Sequence, residues 1–166
     1  MIAPLSVTDF AARCGAELHC EIDKLLEVSG LAIDSRQVKP GDLFVAIPGV
    51  KVDGHDYLEA ALERGAGAAL VQQQVSSALP QLIVSDSEAA LQTFGAMTRA
   101  AYDGILVGIT GSAGKTTAKN MLAEILSRAG SVVATKGNQN NELGVPLTLA
   151  DLNADTEYAV LESGAG

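Results

Sequence analysis

Tryptophan is absent from this chain, and phenylalanine and tyrosine together make up only 4% of it. A core built on large rings is excluded. With 48% of the residues hydrophobic, the interior must instead be made of Ala, Val, Leu and Ile. Abundant Ala and Gly suit helices lying close on a sheet. Basic residues are also scarce: 11 Lys and Arg face 20 Asp and Glu, a formal charge of −9. That balance excludes general binding to nucleic acid or anionic membranes, because counterion release needs clustered cations. A small anionic ligand remains possible where a few cations and backbone dipoles converge, and Lys115 and Arg36 are the candidates.

Cysteine is limited to Cys14 and Cys20. Their spacing matches no metal site, and free, buried thiols in a reducing compartment are expected. The uncharged stretch 65–85 is interrupted by Gln72, Gln73, Gln74, Ser76, Ser77 and Pro80, so it does not read as a bilayer span. No basic leader precedes an apolar stretch; the first basic residue is Arg13. A cytoplasmic location is expected by elimination. Neither His19 nor His55 belongs to a Ser/His/Asp or Cys/His arrangement. His55, in Asp53-Gly54-His55-Asp56-Tyr57, is expected to order the loop before a helix.

The 166 residues alternate between strand-like and helix-like segments. A helix is expected over 6–14, where Val7, Phe10, Ala11 and Cys14 share a face, Ser6 caps and Gly15 stops it. Extended segments follow at 31–33 and 43–47 around a turn at Lys39-Pro40-Gly41-Asp42. Helices are expected at 56–64 and 87–101, the latter carrying Leu91, Phe94, Met97, Thr98 and Ala101 on one side. Short buried strands at 68–71 and 82–84 lie between them. Asp103-Gly104 marks a boundary, after which the chain restarts with strands at 105–109, 132–134 and 158–162 and a helical piece near 145–152. The expected class is α/β, with a small domain over 1–103 followed over 104–166 by the start of a parallel-sheet domain. Three strands are few for such a sheet, which suggests a severed domain.

The restart carries the strongest chemical signal. An apolar strand runs into Gly108-Ile109-Thr110-Gly111-Ser112-Ala113-Gly114-Lys115-Thr116-Thr117, and a helix follows. Strand, glycine-rich turn and helix N-terminus form a phosphate cradle, in which amide groups and the helix dipole face an anion. Lys115 would reach the β- and γ-phosphates and Thr116 would hold Mg²⁺. A nucleoside triphosphate is therefore the expected ligand. The general pattern wants glycine five residues before Gly114, where Ile109 stands; Gly108 is one place too early.

Other candidates need context. Glu162 ends a buried strand, where parallel sheets place ligand-binding groups, and can serve the nucleotide's Mg²⁺. From position alone a solvated strand-end charge is as good a reading; the phosphate loop tips the choice to metal. Asn138, Asn140 and Asn141 stand within four positions. Loop geometry explains one or two of them, and amides addressing a polar ligand the rest. Asp34-Ser35-Arg36 is read first as an Asx-type turn, with a phosphate contact from Ser35 and Arg36 as the functional alternative.

Together these stretches resemble the Mur ligases, ATP-dependent amide-forming enzymes of peptidoglycan assembly. The resemblance is carried in order by Asp34-Ser35-Arg36, Pro40 to Ile47, Asp53 to Tyr57, Thr110 to Thr117, Gly137 to Pro146 and Val160-Leu161-Glu162. The family's loop also lacks the first glycine of the general pattern. The resemblance implies an N-terminal domain that holds the UDP end of a precursor, with Ser35 and Arg36 among its contacts. It implies that Thr110, Gly111, Ser112, Ala113, Gly114, Lys115, Thr116 and Thr117 bind ATP, and that Thr116 and Glu162 hold Mg²⁺. Asn138 and Asn141 would lie near the nucleotide and muramoyl peptide.

The implied chemistry activates the terminal carboxylate of UDP-N-acetylmuramoyl tripeptide as an acyl phosphate. The amine of D-alanyl-D-alanine then attacks, with Lys115 stabilising the transferring phosphoryl group. A cytoplasmic monomer that binds no nucleic acid and inserts in no membrane is implied. Two departures stand out: the family commonly continues Glu-Leu-Gly-Ala-Asn where this chain reads Glu162-Ser163-Gly164-Ala165-Gly166, and the family's later domains have no counterpart in 166 residues. The expectation is that the chain does not turn over alone. A sibling ligase adding a diaminoacid, a P-loop small-molecule kinase and a non-catalytic nucleotide-sugar module are the alternatives.

Overall fold

The computed structural model describes residues 1–19, 26–49, 52–136 and 143–164. The chain divides into two compact units, Pro4–Phe94 and Gly95–Gly166 with Met1–Ala3. Among the described residues, no helix is long and apolar enough to cross a membrane.

The first unit opens with β1 (Leu5–Ser6) and α1 (Val7–Cys14), then β2 (Glu17–His19), β3 (Glu27–Val28), β4 (Gly30–Ala32) and β5 (Asp42–Val45). After α2 (Leu58–Glu63) come β6 (Ala68–Val71) and β7 (Gln81–Ile83). Strands β2-β7-β6-β5-β4 form one sheet, parallel except for the β2–β7 pair, while β1 and β3 pair antiparallel. The central strands β5 and β6 are buried at every position, as continuous runs in a parallel sheet covered on both faces must be. Asp42 is the polar exception, and its carboxylate accepts the Lys39 amide at 2.9 Å. A core of Phe44, Ala46, Leu58, Ala61, Ala69 and Val71 forms beside this sheet without large rings other than Phe44. Phe10 and Phe94 meet edge to face at 5.9 Å.

Local signals set several boundaries as expected. Ser6 caps α1 by accepting the Asp9 amide, and Gly15 ends the helix at φ 68°. The helix expected over 56–64 begins instead as a 3-10 turn, Gly54–Tyr57, and becomes α-helical at Leu58. The cause is Asp53, whose carboxylate captures the His55 amide and holds the first residues in a tight turn. Cys14 is only half-buried, because it lies in the last turn of a short helix; Cys20 is outside the described residues.

Helix α3 (Ser87–Ala100) leads into the second unit. Ala101 lies beyond its end and is exposed, so the apolar side expected to include it stops at Thr98, and Tyr102 is buried instead. The second unit contains β8 (Ile105–Ile109), α4 (Lys115–Leu126), β9 (Val132–Ala134), α5 (Gly144–Ala150) and β10 (Tyr158–Glu162). Its three strands are parallel in the order β8-β10-β9. The last strand in sequence is therefore the middle one, and it is buried from Ala159 through Glu162. Leu149, Leu152, Ala159 and Leu161 pack with Tyr102 in this unit's core. Ile105 on β8 and Met121 and Ile125 on α4 are exposed apolar residues.

Candidate functional site

The turn from β8 into α4 is shaped by two glycines. Gly111 has φ 149° and Gly114 φ 77°, and Gly114 occupies the N-cap of α4. A Cβ at Gly114 would meet nothing within 4 Å, so the left-handed backbone itself is what calls for glycine there. Among the described residues no side chain caps this helix start, and its first backbone hydrogen bond runs from the Ala118 amide to the Gly114 carbonyl at 2.9 Å. The preceding amides carry the positive end of the helix dipole. Thr110, Ser112, Ala113, Gly114 and Thr117 are exposed on this turn, while Gly111, Lys115 and Thr116 are half-buried. The Lys115 ammonium curls back over the loop and donates to the Gly111 carbonyl at 2.7 Å. An anion seated in the turn would be within reach of the same ammonium.

Glu162 reaches the same end of the sheet from the middle strand. Thr116 Oγ1 donates to Glu162 Oε1 at 3.0 Å, so the phosphate-loop hydroxyl and the strand-end carboxylate are brought together across 46 positions of sequence. The reading of Glu162 as a solvated end charge does not survive: the residue is 1% exposed. Its second oxygen, Oε2, is buried without a hydrogen-bond partner among the described residues and lies 3.5 Å from Lys119 Nζ. The Glu162 amide, at the point where β9 has already ended, donates to Thr135 Oγ1 at 3.0 Å.

Lys119 and Thr135 were not singled out by sequence reasoning. Lys119 is 2% exposed and donates to the Thr135 carbonyl at 2.6 Å. Thr148 extends the network, 3.3 Å from Thr135 Oγ1 and donating to the Gly144 carbonyl at 2.8 Å. One signal was available: Lys119 follows Lys115 by four and Thr116 by three, so all three lie on one side of α4. Buried lysine is uncommon without a partner, and here the opposite charge is supplied by Glu162.

The donor set suits magnesium. A hydroxyl and one carboxylate, with no acidic cluster among the described residues, leave most of an octahedral shell to phosphate oxygens and water, as Mg²⁺ prefers. The Lys119 ammonium already stands by the buried Oε2, which leaves Oε1, beside the Thr116 hydroxyl, as the oxygen placed for the cation.

The remaining candidates belong elsewhere. In the first unit Asp34 caps a 3-10 turn, Ser35–Gln37, by accepting the Arg36 amide at 3.0 Å. The Arg36 guanidinium grips the same carboxylate through Nε at 2.9 Å and Nη2 at 2.7 Å while its side chain stays 84% exposed. Those hydrogen bonds hold Asp34 well below the usual carboxylate range, at about 2. Ser35 is buried. His55 is also buried; its ring contacts Asp53 Oδ1 at 2.6 Å and its Nε2 accepts the Gln72 amide at 2.9 Å, so Nδ1 carries the proton and donates to Asp53. The ring ties its loop to the end of β6, in line with the ordering role expected for it. Asn138, Asn140 and Asn141 lie outside the described residues; nearby, Lys136 pairs with Asp151 at 2.6 Å.

Residues 27–128 match the model of the Mur ligase family, catalytic domain, and residues 109–166 that of the Mur ligase middle domain. The UDP-N-acetylmuramoyl-tripeptide–D-alanyl-D-alanine ligase of Escherichia coli (strain K12) is 43% identical over 140 residues, covering 84% of this chain and 31% of the relative. MurF from Acinetobacter baumannii superposes with a TM-score of 0.86 at 34% identity, over 99% of this chain and 36% of that one. MurF from Thermotoga maritima, solved in complex with ADP, has a TM-score of 0.71 at 36% identity, over 87% of this chain and 34% of that one. The chain spans about a third of the length of the curated relatives it matches.

Proposed function

This chain belongs to the Mur ligase family, and from that premise we propose that it is the nucleotide-binding and precursor-binding part of an ATP-dependent amide ligase. The observation that carries the proposal is the convergence of the 111–116 turn and Glu162 at one end of the β8-β10-β9 sheet, joined by the Thr116–Glu162 hydrogen bond. Residues 110–117 hold the ATP phosphates, with Lys115 on the β- and γ-phosphates. Thr116 and Glu162 hold Mg²⁺, which neutralises charge on those oxygens when bound. Residues 1–103 act as the domain for the UDP end of the precursor, and Ser35 and Arg36 contact it with Arg36 exchanging part of its grip on Asp34 for phosphate. Asn138 and Asn141, outside the described residues, are proposed as further contacts of the nucleotide and the muramoyl peptide.

The reaction joins D-alanyl-D-alanine to UDP-N-acetylmuramoyl tripeptide, as the names of the relatives support. A carboxylate oxygen of the precursor attacks the γ-phosphorus and ADP leaves. The dipeptide's amine then attacks the acyl carbon, phosphate leaves, and the nitrogen gives up a proton. Lys115 donates to the phosphoryl oxygens while charge moves between them, and alignment of the carboxylate supplies the rest of the advantage. Two of the three reactants are nucleotides of the cytoplasm, where we place the protein, as a monomer.

The test is titration calorimetry of the full-length protein with Mg-ATP and with the UDP-muramoyl tripeptide, alongside phosphate release on adding D-alanyl-D-alanine. Binding of both ligands and release that requires the dipeptide are expected. Tight ATP binding with no response to any UDP-sugar refutes the ligase reading in favour of a kinase. Release driven by a diaminoacid instead of the dipeptide assigns the protein to the sibling activity.

A further inference from the structure

The mechanism above uses Lys115, Thr116 and Glu162 but gives no role to the buried Lys119. Lys119 lies one helical turn below Lys115, is 2% exposed, and cannot touch a ligand seated in an exposed loop without leaving its place. Its ammonium is bonded to the Thr135 carbonyl at 2.6 Å and stands 3.5 Å from Glu162 Oε2. The Glu162 carboxylate is thus met on both oxygens, by Thr116 on Oε1 and Lys119 beside Oε2, while Thr135 accepts the residue's backbone amide. A carboxylate so held has one rotation about its terminal bond, with Oε1 turned to the phosphate-loop hydroxyl. Groups behind a metal ligand that fix its orientation commonly govern metal affinity.

We propose that Lys119 is a positioning residue for the nucleotide's metal: anchored on the Thr135 carbonyl, it fixes the Glu162 carboxylate so that Oε1 is presented beside Thr116. The proposal rests on the reading that the 111–116 turn binds a magnesium nucleotide. It assigns Lys119 no contact with phosphate, so it separates two effects that a phosphate-binding lysine would mix. Affinity for nucleotide without metal should be indifferent to Lys119, whereas the gain in affinity on adding Mg²⁺ should depend on it.

The experiment is calorimetric titration of the full-length protein with ADP, in EDTA and in Mg²⁺. For Lys119→Met the affinity in EDTA should stay within about threefold of the parent, while the Mg²⁺-dependent gain should fall about tenfold or more. Lys119→Arg, which keeps the charge, should retain most of the gain. Loss of thermal stability in Lys119→Met with the gain intact would overturn the proposal and leave the lysine a structural counter-ion; so would an equal fall in both buffers. A lone buried carboxylate can prevent folding, so Glu162→Gln is measured alone and combined with Lys119→Met. The gain already lost in Glu162→Gln should not fall further in the double variant, and a further fall overturns the proposal. A parent that binds ADP in neither buffer refutes the nucleotide reading itself, an outcome distinct from any of these.

Discussion

Replacing Thr135 by valine tests how the end of β10 is held. Pairing between β9 and β10 ends at Val160 opposite Ala134, so the ladder supplies no carbonyl on that side for the Glu162 amide. The Thr135 hydroxyl takes its place at 3.0 Å, in a buried setting. Valine keeps the shape of threonine, so no cavity opens, but it removes the acceptor. Thr148 is not orphaned, because its hydroxyl proton goes to the Gly144 carbonyl, and Lys119 keeps the Thr135 carbonyl. The cost is therefore that of one unsatisfied buried amide, about 2 kcal/mol. Urea denaturation should show a lower midpoint with unchanged slope, and hydrogen exchange at the Glu162 amide should accelerate more than at the amides of β8. Thr148→Val, which leaves the Glu162 amide paired, should cost about 1 kcal/mol. The reasoning is refuted if Thr135→Val shifts stability by less than about 0.5 kcal/mol or leaves exchange at Glu162 unchanged.

Three other outcomes follow. Gly114→Ala should destabilise by about 1–2 kcal/mol through its left-handed backbone alone, whereas Gly108→Ala, where an added Cβ also meets nothing and φ is not positive, should be close to neutral by thermal denaturation. The Asp34 carboxyl should titrate near 2 by carbon-detected NMR and move up toward 3.8 in Arg36→Ala; since folding lowers this pKa, its contribution to stability is present above pH 4 or so and lost as pH falls toward 2. His55→Leu should cost about 1–3 kcal/mol by stranding the Gln72 amide, measured as a drop in the urea midpoint, and no change would show that the ring does not secure its loop.

The fold was legible where the signal is local. Ser6 and Gly15 bracket α1 because capping and left-handed geometry act within a few residues, and β5 and β6 announce themselves as apolar runs because both faces are covered. The start of α2 was misplaced for an equally local reason, a competing Asp53 carboxylate that the apolar spacing does not register. In the site, the glycines of the turn, Lys115 and Thr116 are close in sequence, and Glu162 is marked by its place at the end of a buried strand. What holds Glu162 was not legible. Lys119 reaches Thr135 across 16 positions and Glu162 reaches Thr135 across 27, and no pattern along the chain encodes those distances. A lysine in a helix also reads by default as a solvated residue, so burial had to be seen rather than inferred.

The charge balance of the chain gains meaning at the same place. A net charge of −9 opposes a polyanion in bulk, yet at physiological salt charges farther than roughly 8 Å away are largely screened. At the turn itself the half-buried charge is that of Lys115, to which the start of α4 adds its dipole, while Lys119 and Glu162 offset each other beneath it. Burial weakens screening for exactly these groups and not for the surface carboxylates. The field an entering phosphate meets is thus set by the few groups at the turn, and the acidity elsewhere serves solubility without deciding what binds.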